Sequence, residues 1–141
     1  MTQYSEPDRF EEQLNTNRQI AHTYAKKLHD FLVSRKDMLE DITIGVLTDD
    51  WCSFRLTLPG PNKLSISLLY SPCSLWKSPI PLLDIKFFND DIKVPYTKII
   101  QYTKYNPDDL IQSFDTHEKL LEELVKFADF ARTRDIIEHN D

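Results

Sequence analysis

The spacing of apolar residues changes once along this chain, and the change decides which secondary structures it can form. From about residue 6 to residue 36, apolar side chains recur every three or four positions, without any glycine or any proline after Pro7. From Ile42 onward they alternate with polar residues at every second position. The first spacing is typical of an amphipathic helix and the second of half-buried strands. The sequence therefore predicts a helix followed by a sheet.

The first segment predicts one long helix over residues 6–36. Ser5 can cap its start, and Pro7 suits its first turn. At ~1.5 Å per residue such a helix is roughly 45 Å long, which exceeds the width expected of a compact single domain. Its first turns are therefore expected to project. Phe10 and Leu14 on the apolar stripe are candidates for packing on a second copy of the chain, which predicts a homodimer.

Alternation predicts four or five strands in the middle of the chain. The turn sequences between them are short, so the strands are expected to form an antiparallel meander. Residues 92–105 are assigned to an edge strand, although Pro95 leaves a loop open there. The expected strands are residues 42–46, 51–58, 64–70, 83–87 and 92–105.

The end of the chain returns to a helical spacing. Residues 116–138 predict a C-terminal helix whose apolar face includes Leu120, Leu124 and Phe127, after a short turn over 106–112. A chain of 141 residues fits one domain. The predicted class is α+β over 1–141, with the helices on one sheet face and frayed ends at 1–5 and 139–141.

A loop rich in proline separates the third and fourth predicted strands. Residues 71–81 hold three prolines, and prolines this close prevent strand pairing. The loop is expected to be ordered, with Trp76 partly exposed. Trp76 and Pro79 are candidates for binding a partner, because a tryptophan offers a large apolar area and one donor. Trp51, at a strand start, is expected in the core.

Charge is unevenly spread. The chain carries a net charge of −6, but residues 51–105 hold seven Lys or Arg against three Asp or Glu, which gives +4. Glu122 and Glu123 lie off the apolar stripe of the last helix and are expected to face solvent. The simple interpretation is a solvated helix face. The sharper one is an acidic surface that receives a basic partner protein.

Composition excludes several classes of enzyme. Two glycines leave no Gly-rich phosphate loop and no nucleophile elbow. The four histidines include no His-x-x-x-His pair. The Asp49–Asp50 and Asp90–Asp91 pairs would gather around a cation only if their two turns met at one end of the sheet, and they are interpreted as polar turns. Cys52 and Cys73 could pair, since spacing alone does not test the geometry of a disulfide, but two buried free thiols are the favoured expectation. No catalytic residue, metal or cofactor is predicted, and the chain is not expected to be an enzyme.

The alternative function is binding of nucleic acid. Basic and aromatic residues alternate between residues 86 and 105, where aromatic rings would stack on bases and lysines would contact phosphates. The competing interpretation is that the rings pack on helices and the lysines protect a sheet edge. The negative net charge makes nucleic acid the less favoured partner. A basic, aromatic open sheet face would support it, and an apolar one would support a protein. The candidate residues are Lys93, Tyr96, Lys98, Tyr102 and Lys104.

Residues 64–70, followed by Ser71-Pro72 and then Pro79-Ile80-Pro81 leading into 82–88, resemble the RWD domain, a relative of the ubiquitin-conjugating fold. The likeness covers residues 10–138 in the order of elements. The family has Tyr-Pro where this chain has Tyr70-Ser71-Pro72, and no His-Pro-Asn precedes a cysteine. The resemblance implies a protein-binding module without conjugating activity. Small secretion chaperones and immunity proteins, a class of inhibitor, are similar in size and charge.

The N-terminus is acidic and lacks an apolar run of signal-peptide length. Nor does any stretch reach 18 uncharged apolar residues, the minimum for a spanning helix. A cytoplasmic protein that does not enter the membrane is therefore expected.

Overall fold

The computed structural model describes residues 6–61, 63–90, 92–94 and 117–133. The predictions for residues 1–5, 95–112, 116 and 134–141 lie outside this part of the chain. Two short 3-10 turns, Lys36–Met38 and Pro72–Trp76, join the main elements. In chain order these are α1 (Glu6–Ser34), β1 (Thr43–Ile44), β2 (Ser53–Thr57), β3 (Leu64–Tyr70), β4 (Leu83–Asn89), β5 (Ile92–Val94) and α2 (His117–Thr133).

The five strands form one sheet in the order β1-β2-β3-β4-β5, and every neighbouring pair is antiparallel. The predicted α+β class and the meander are thus confirmed. Period-two alternation sends the apolar residues of each strand to a single face, where Phe54, Leu68 and Ile85 lie side by side in register.

Both helices cover this apolar face. The His29 ring of α1 meets the edge of Phe54 at 4.9 Å between centroids, and Phe127 of α2 lies 5.6 Å from Phe87. The opposite face, which we name the open sheet face, has no helix of the described residues on it. Its residues are Ser53, Arg55, Thr57, Ser65, Ser67, Leu69, Asp84, Lys86, Phe88 and Lys93.

The two halves of α1 are buried to different degrees. The C-terminal half places Ala25, Leu28 and Leu32 in the core with no exposed surface. In the N-terminal half, Asn17 interrupts the apolar stripe; its Oδ1 accepts a hydrogen bond of 2.8 Å from Gln13, whereas its Nδ2 has no partner among the described residues. An unpaired buried donor costs ~1–3 kcal/mol. The N-terminal half is therefore held more weakly than the C-terminal half.

Both glycines stand where a side chain has no room. A Cβ on Gly45 would lie 2.7 Å from the Arg55 carbonyl oxygen, which already accepts a 2.8 Å hydrogen bond from the Gly45 amide. Gly60 has a φ of +106°, and its Cβ would lie 2.0 Å from the Ala131 carbonyl oxygen. The glycines thus let β1 approach β2 and let the β2–β3 turn approach α2.

Candidate functional site

Two of the predicted binding residues come together. Phe10 in the second turn of α1 stacks on Trp76 in the proline loop, with ring centroids 5.3 Å apart and ring planes 11° apart. The early part of α1 was expected to project, but its second turn packs on the 3-10 turn Pro72–Trp76 instead. Phe10 remains 57% exposed and Trp76 45% exposed, which confirms the predicted partial exposure of Trp76.

The proline loop is tied together by one serine. Ser74 donates its hydroxyl hydrogen to the Ser71 carbonyl at 2.7 Å and accepts the Leu82 amide at 2.9 Å. The Ser71 amide in turn donates to the Leu82 carbonyl at 2.9 Å. These bonds close the loop where it leaves β3 and enters β4. Together with its prolines, they reduce the entropy that the loop loses on binding.

The exposed apolar side chains at this end of the molecule belong to one helix turn and one loop. Beside the Phe10–Trp76 pair, Ile80 and Leu82 are both about half exposed at 55% and 49%. Pro79 is exposed, and Leu14, one turn after Phe10, is half-buried. We name Phe10, Trp76, Ile80 and Leu82 the loop patch. Exposed apolar side chains of this kind are typical of a surface that binds the apolar surface of another protein.

The acidic surface predicted on α2 is smaller than expected. Glu122 is exposed, but only 14% of the Glu123 side chain is exposed, and its Oε1 lies 3.5 Å from the Lys126 ammonium. The prediction that Glu123 faces solvent is therefore wrong. Glu123 follows Leu120 by three residues and precedes Leu124, so it lies at the margin of the apolar stripe rather than opposite it.

The expectation that Trp51 belongs to the core is also wrong. Strand β2 begins at Ser53, so Trp51 lies in the preceding turn and its side chain is 63% exposed. Its backbone is well held, because its amide donates to the Thr48 carbonyl at 3.2 Å and its carbonyl accepts from His22 Nδ1 at 2.7 Å. The alternation itself predicts this exposure, because position 51 falls on the same polar face as Ser53 and Arg55.

The described histidines have structural partners. His22 and His29, two turns apart on α1, bond to the carbonyls of Trp51 and Gly45, the latter at 2.8 Å. They fasten the β1–β2 connection to the helix. Among the residues that the structure describes, no group of three or more His, Cys, Asp or Glu could hold a metal ion.

The aspartate turns lie apart. Asp49 and Asp50 line an open cleft of about 630 Å³ with Arg18 and His22, beside the start of β2. Asp90 follows the end of β4, and the strand register pairs that end with the start of β3, so it lies at the end of the sheet opposite to the start of β2. The arrangement in which both turns gather around one cation is thus excluded for Asp90.

The two thiols have different surroundings. Both cysteines are free, as predicted, but only Cys52 is buried, and the expectation of a buried Cys73 is wrong. The Cys52 thiol lies 3.5 Å from the Arg18 carbonyl oxygen, and burial raises its pKa above the usual value. Cys73 is exposed because it occupies the 3-10 turn that carries Trp76.

The residues predicted for nucleic-acid binding are only partly described. Lys93 is exposed on β5, paired in register with Phe88 of the open sheet face. Tyr96, Lys98, Tyr102 and Lys104 lie outside the described residues.

The chain matches no protein-family model, no curated protein and no solved structure. Within the described residues, no helix combines the length and the apolar character that crossing a bilayer requires.

Proposed function

We propose that this chain is a non-enzymatic protein-binding module of the cytoplasm, of adaptor or inhibitor type, and that its partner docks on the loop patch. The observation that carries the proposal is the stacked pair of Phe10 and Trp76, in which both rings stay about half exposed. Soluble proteins seldom expose neighbouring large apolar side chains without using them. A tryptophan held in place in this way is a typical centre of binding energy.

Two further properties favour a protein partner. The loop is closed by the hydrogen bonds of Ser74, so little order remains to be gained on binding. The resemblance to RWD domains implies the same class of function. A second copy of the chain would be the simplest partner, with Leu14 at the margin of the contact. A basic partner would in addition use the exposed Glu122 of α2.

The proposal is tested by affinity capture from nuclease-treated native lysate. Wild type and the control Trp51→Ala should retain the same protein, and Trp76→Ala should lose it. Calorimetry with the purified partner should show about 2 kcal/mol weaker binding for Trp76→Ala, roughly thirtyfold in Kd. Thermal melts of the three proteins check that each one is folded.

Two outcomes would count against the proposal, and a third would identify the partner. Equal retention by Trp76→Ala and wild type removes the loop patch from the interface. Loss of the protein with Trp51→Ala moves the interface to the open sheet face. Light scattering that shows a stable dimer of wild type, lost in Trp76→Ala, would identify the partner as a second copy.

A further inference from the structure

The open sheet face carries an aromatic and cationic arrangement that the loop patch does not use. Arg55 projects from β2 on this face, and its guanidinium carbon lies 4.2 Å from the centre of the Phe88 ring on β4. In register Arg55 is opposite Ser67, and Phe88 is opposite Ser65. The contact therefore crosses β3, which accounts for the 6% exposure of Ser65.

A small cavity opens beside this pair. It has a volume of about 280 Å³, and its lining includes Trp51, Ser53, Arg55 and Ser67. That volume is slightly below the roughly 300–1,000 Å³ typical of small-molecule sites. The Trp51 ring is largely exposed while its backbone is fixed to α1 through His22, so the ring is offered to a ligand from a rigid position.

The charges of this face favour an anion. Among the described residues of this face, Arg55, Lys86 and Lys93 are cationic and Asp84 is the one carboxylate, with an oxygen 3.5 Å from the Lys86 ammonium. The chain as a whole has a net charge of −6, so the described part of this face is more positive than the rest of the molecule. Asp50, which precedes Trp51, lines the cleft on the α1 side instead.

We propose that the open sheet face binds single-stranded nucleic acid, with one base against Trp51 and Arg55 and the neighbouring phosphates at Lys86 and Lys93. Aromatic rings and guanidinium planes stack on unpaired bases, and lysines follow the backbone. The serine hydroxyls of the cavity supply donors for base edges. A duplex hides its base faces, and an acidic peptide would use the cations but leave the ring of Trp51 without a role.

The test is fluorescence anisotropy with a labelled oligothymidylate of about 12 nucleotides, within the roughly 4–16 nucleotides that such surfaces occupy. Trp51→Ala should weaken binding about fivefold or more, because stacking contributes ~1–3 kcal/mol per base, and Trp51→Phe should restore part of it. Replacing Lys86 and Lys93 by Gln should flatten the dependence on salt. Trp76→Ala, which alters the loop patch alone, should bind like wild type.

The following results would overturn the proposal that the open sheet face binds single-stranded nucleic acid. An absence of binding at tens of micromolar in low salt rejects it, as does equal binding by Trp51→Ala and wild type. Poly-glutamate or duplex DNA that competes as strongly as the single strand would assign the face to anions in general. Because Trp76→Ala is the control here and the test variant for protein binding, each of the two surfaces can fail without the other.

Discussion

The two tryptophans of this chain are both exposed, yet their surroundings differ. Trp76 stacks on Phe10 and shares its loop with Ile80 and Leu82, so its neighbours are apolar. Trp51 lines a cavity with three hydroxyl residues and Arg55, although the apolar Val46 and Phe54 line it as well. Apolar neighbours suit a protein surface, and hydroxyls with cations suit a base and its phosphates. The ligand class thus depends on the side chains around an exposed ring.

The two surfaces also differ in how they are supported. The loop patch needs the N-terminal half of α1, which contains the buried, incompletely bonded Asn17. The β1–β2 connection, which contains Trp51, is fastened to the C-terminal half of α1 by His22 and His29. We therefore expect the loop patch to unfold before the region of Trp51 when the fold is destabilised.

The largest expected effect separates the halves of α1. Leu28→Ala removes a side chain with no exposed surface and should lower the free energy of unfolding by about 3 kcal/mol. Phe10→Ala should lower it by about 1 kcal/mol, because more than half of that ring is already in solvent. Urea denaturation measures both, with the exposed Val33→Ala as the control, expected to stay within about 0.5 kcal/mol. Equal losses for Leu28→Ala and Phe10→Ala would place the loop patch in the core.

The sequence predicted the elements well because each depends on a local pattern. Apolar spacing over residues 6–36 and alternation in β2 to β4 were sufficient to predict the helix, the meander and the covered face. The contact between Phe10 and Trp76 joins residues far apart in the chain, and no local pattern encodes it. The errors at Trp51 and Glu123 have one source: each lies at the margin of an apolar pattern, where one position decides burial.

The next effect concerns the stacked pair itself. A double-mutant cycle on Phe10→Ala and Trp76→Ala should give a coupling energy of about 1 kcal/mol, as expected of aromatic pairs in contact. The control cycle pairs Phe10→Ala with Trp51→Ala, whose rings belong to different surfaces, and should be additive to within about 0.5 kcal/mol. The measurement is again urea denaturation. Additivity in the first cycle would mean that the stacked geometry adds nothing to stability. The loop patch would then not be a preformed surface.

The smallest perturbation uses the thiol beside each tryptophan as a reporter. Cys73 lies in the turn of Trp76 and is exposed, whereas Cys52 precedes β2, is buried and has its pKa raised by burial. Only a thiolate reacts, so an alkylating reagent at pH 8 should modify Cys73 directly and Cys52 only after local opening.

An opening that costs ~3 kcal/mol populates fewer than about one molecule in a hundred, so Cys52 should react at least a hundredfold more slowly. Mass spectrometry of Cys73→Ser and Cys52→Ser follows one thiol at a time. Because the folded state raises the pKa of Cys52, the unfolded chain loses this proton first, at its ordinary pKa of about 8.5. The free energy of unfolding should therefore fall as the pH rises past that value, and it should fall less in Cys52→Ser. Similar alkylation rates for the two thiols would show that Cys52 reacts without a costly opening, which would contradict its burial and the firm attachment of the Trp51 region.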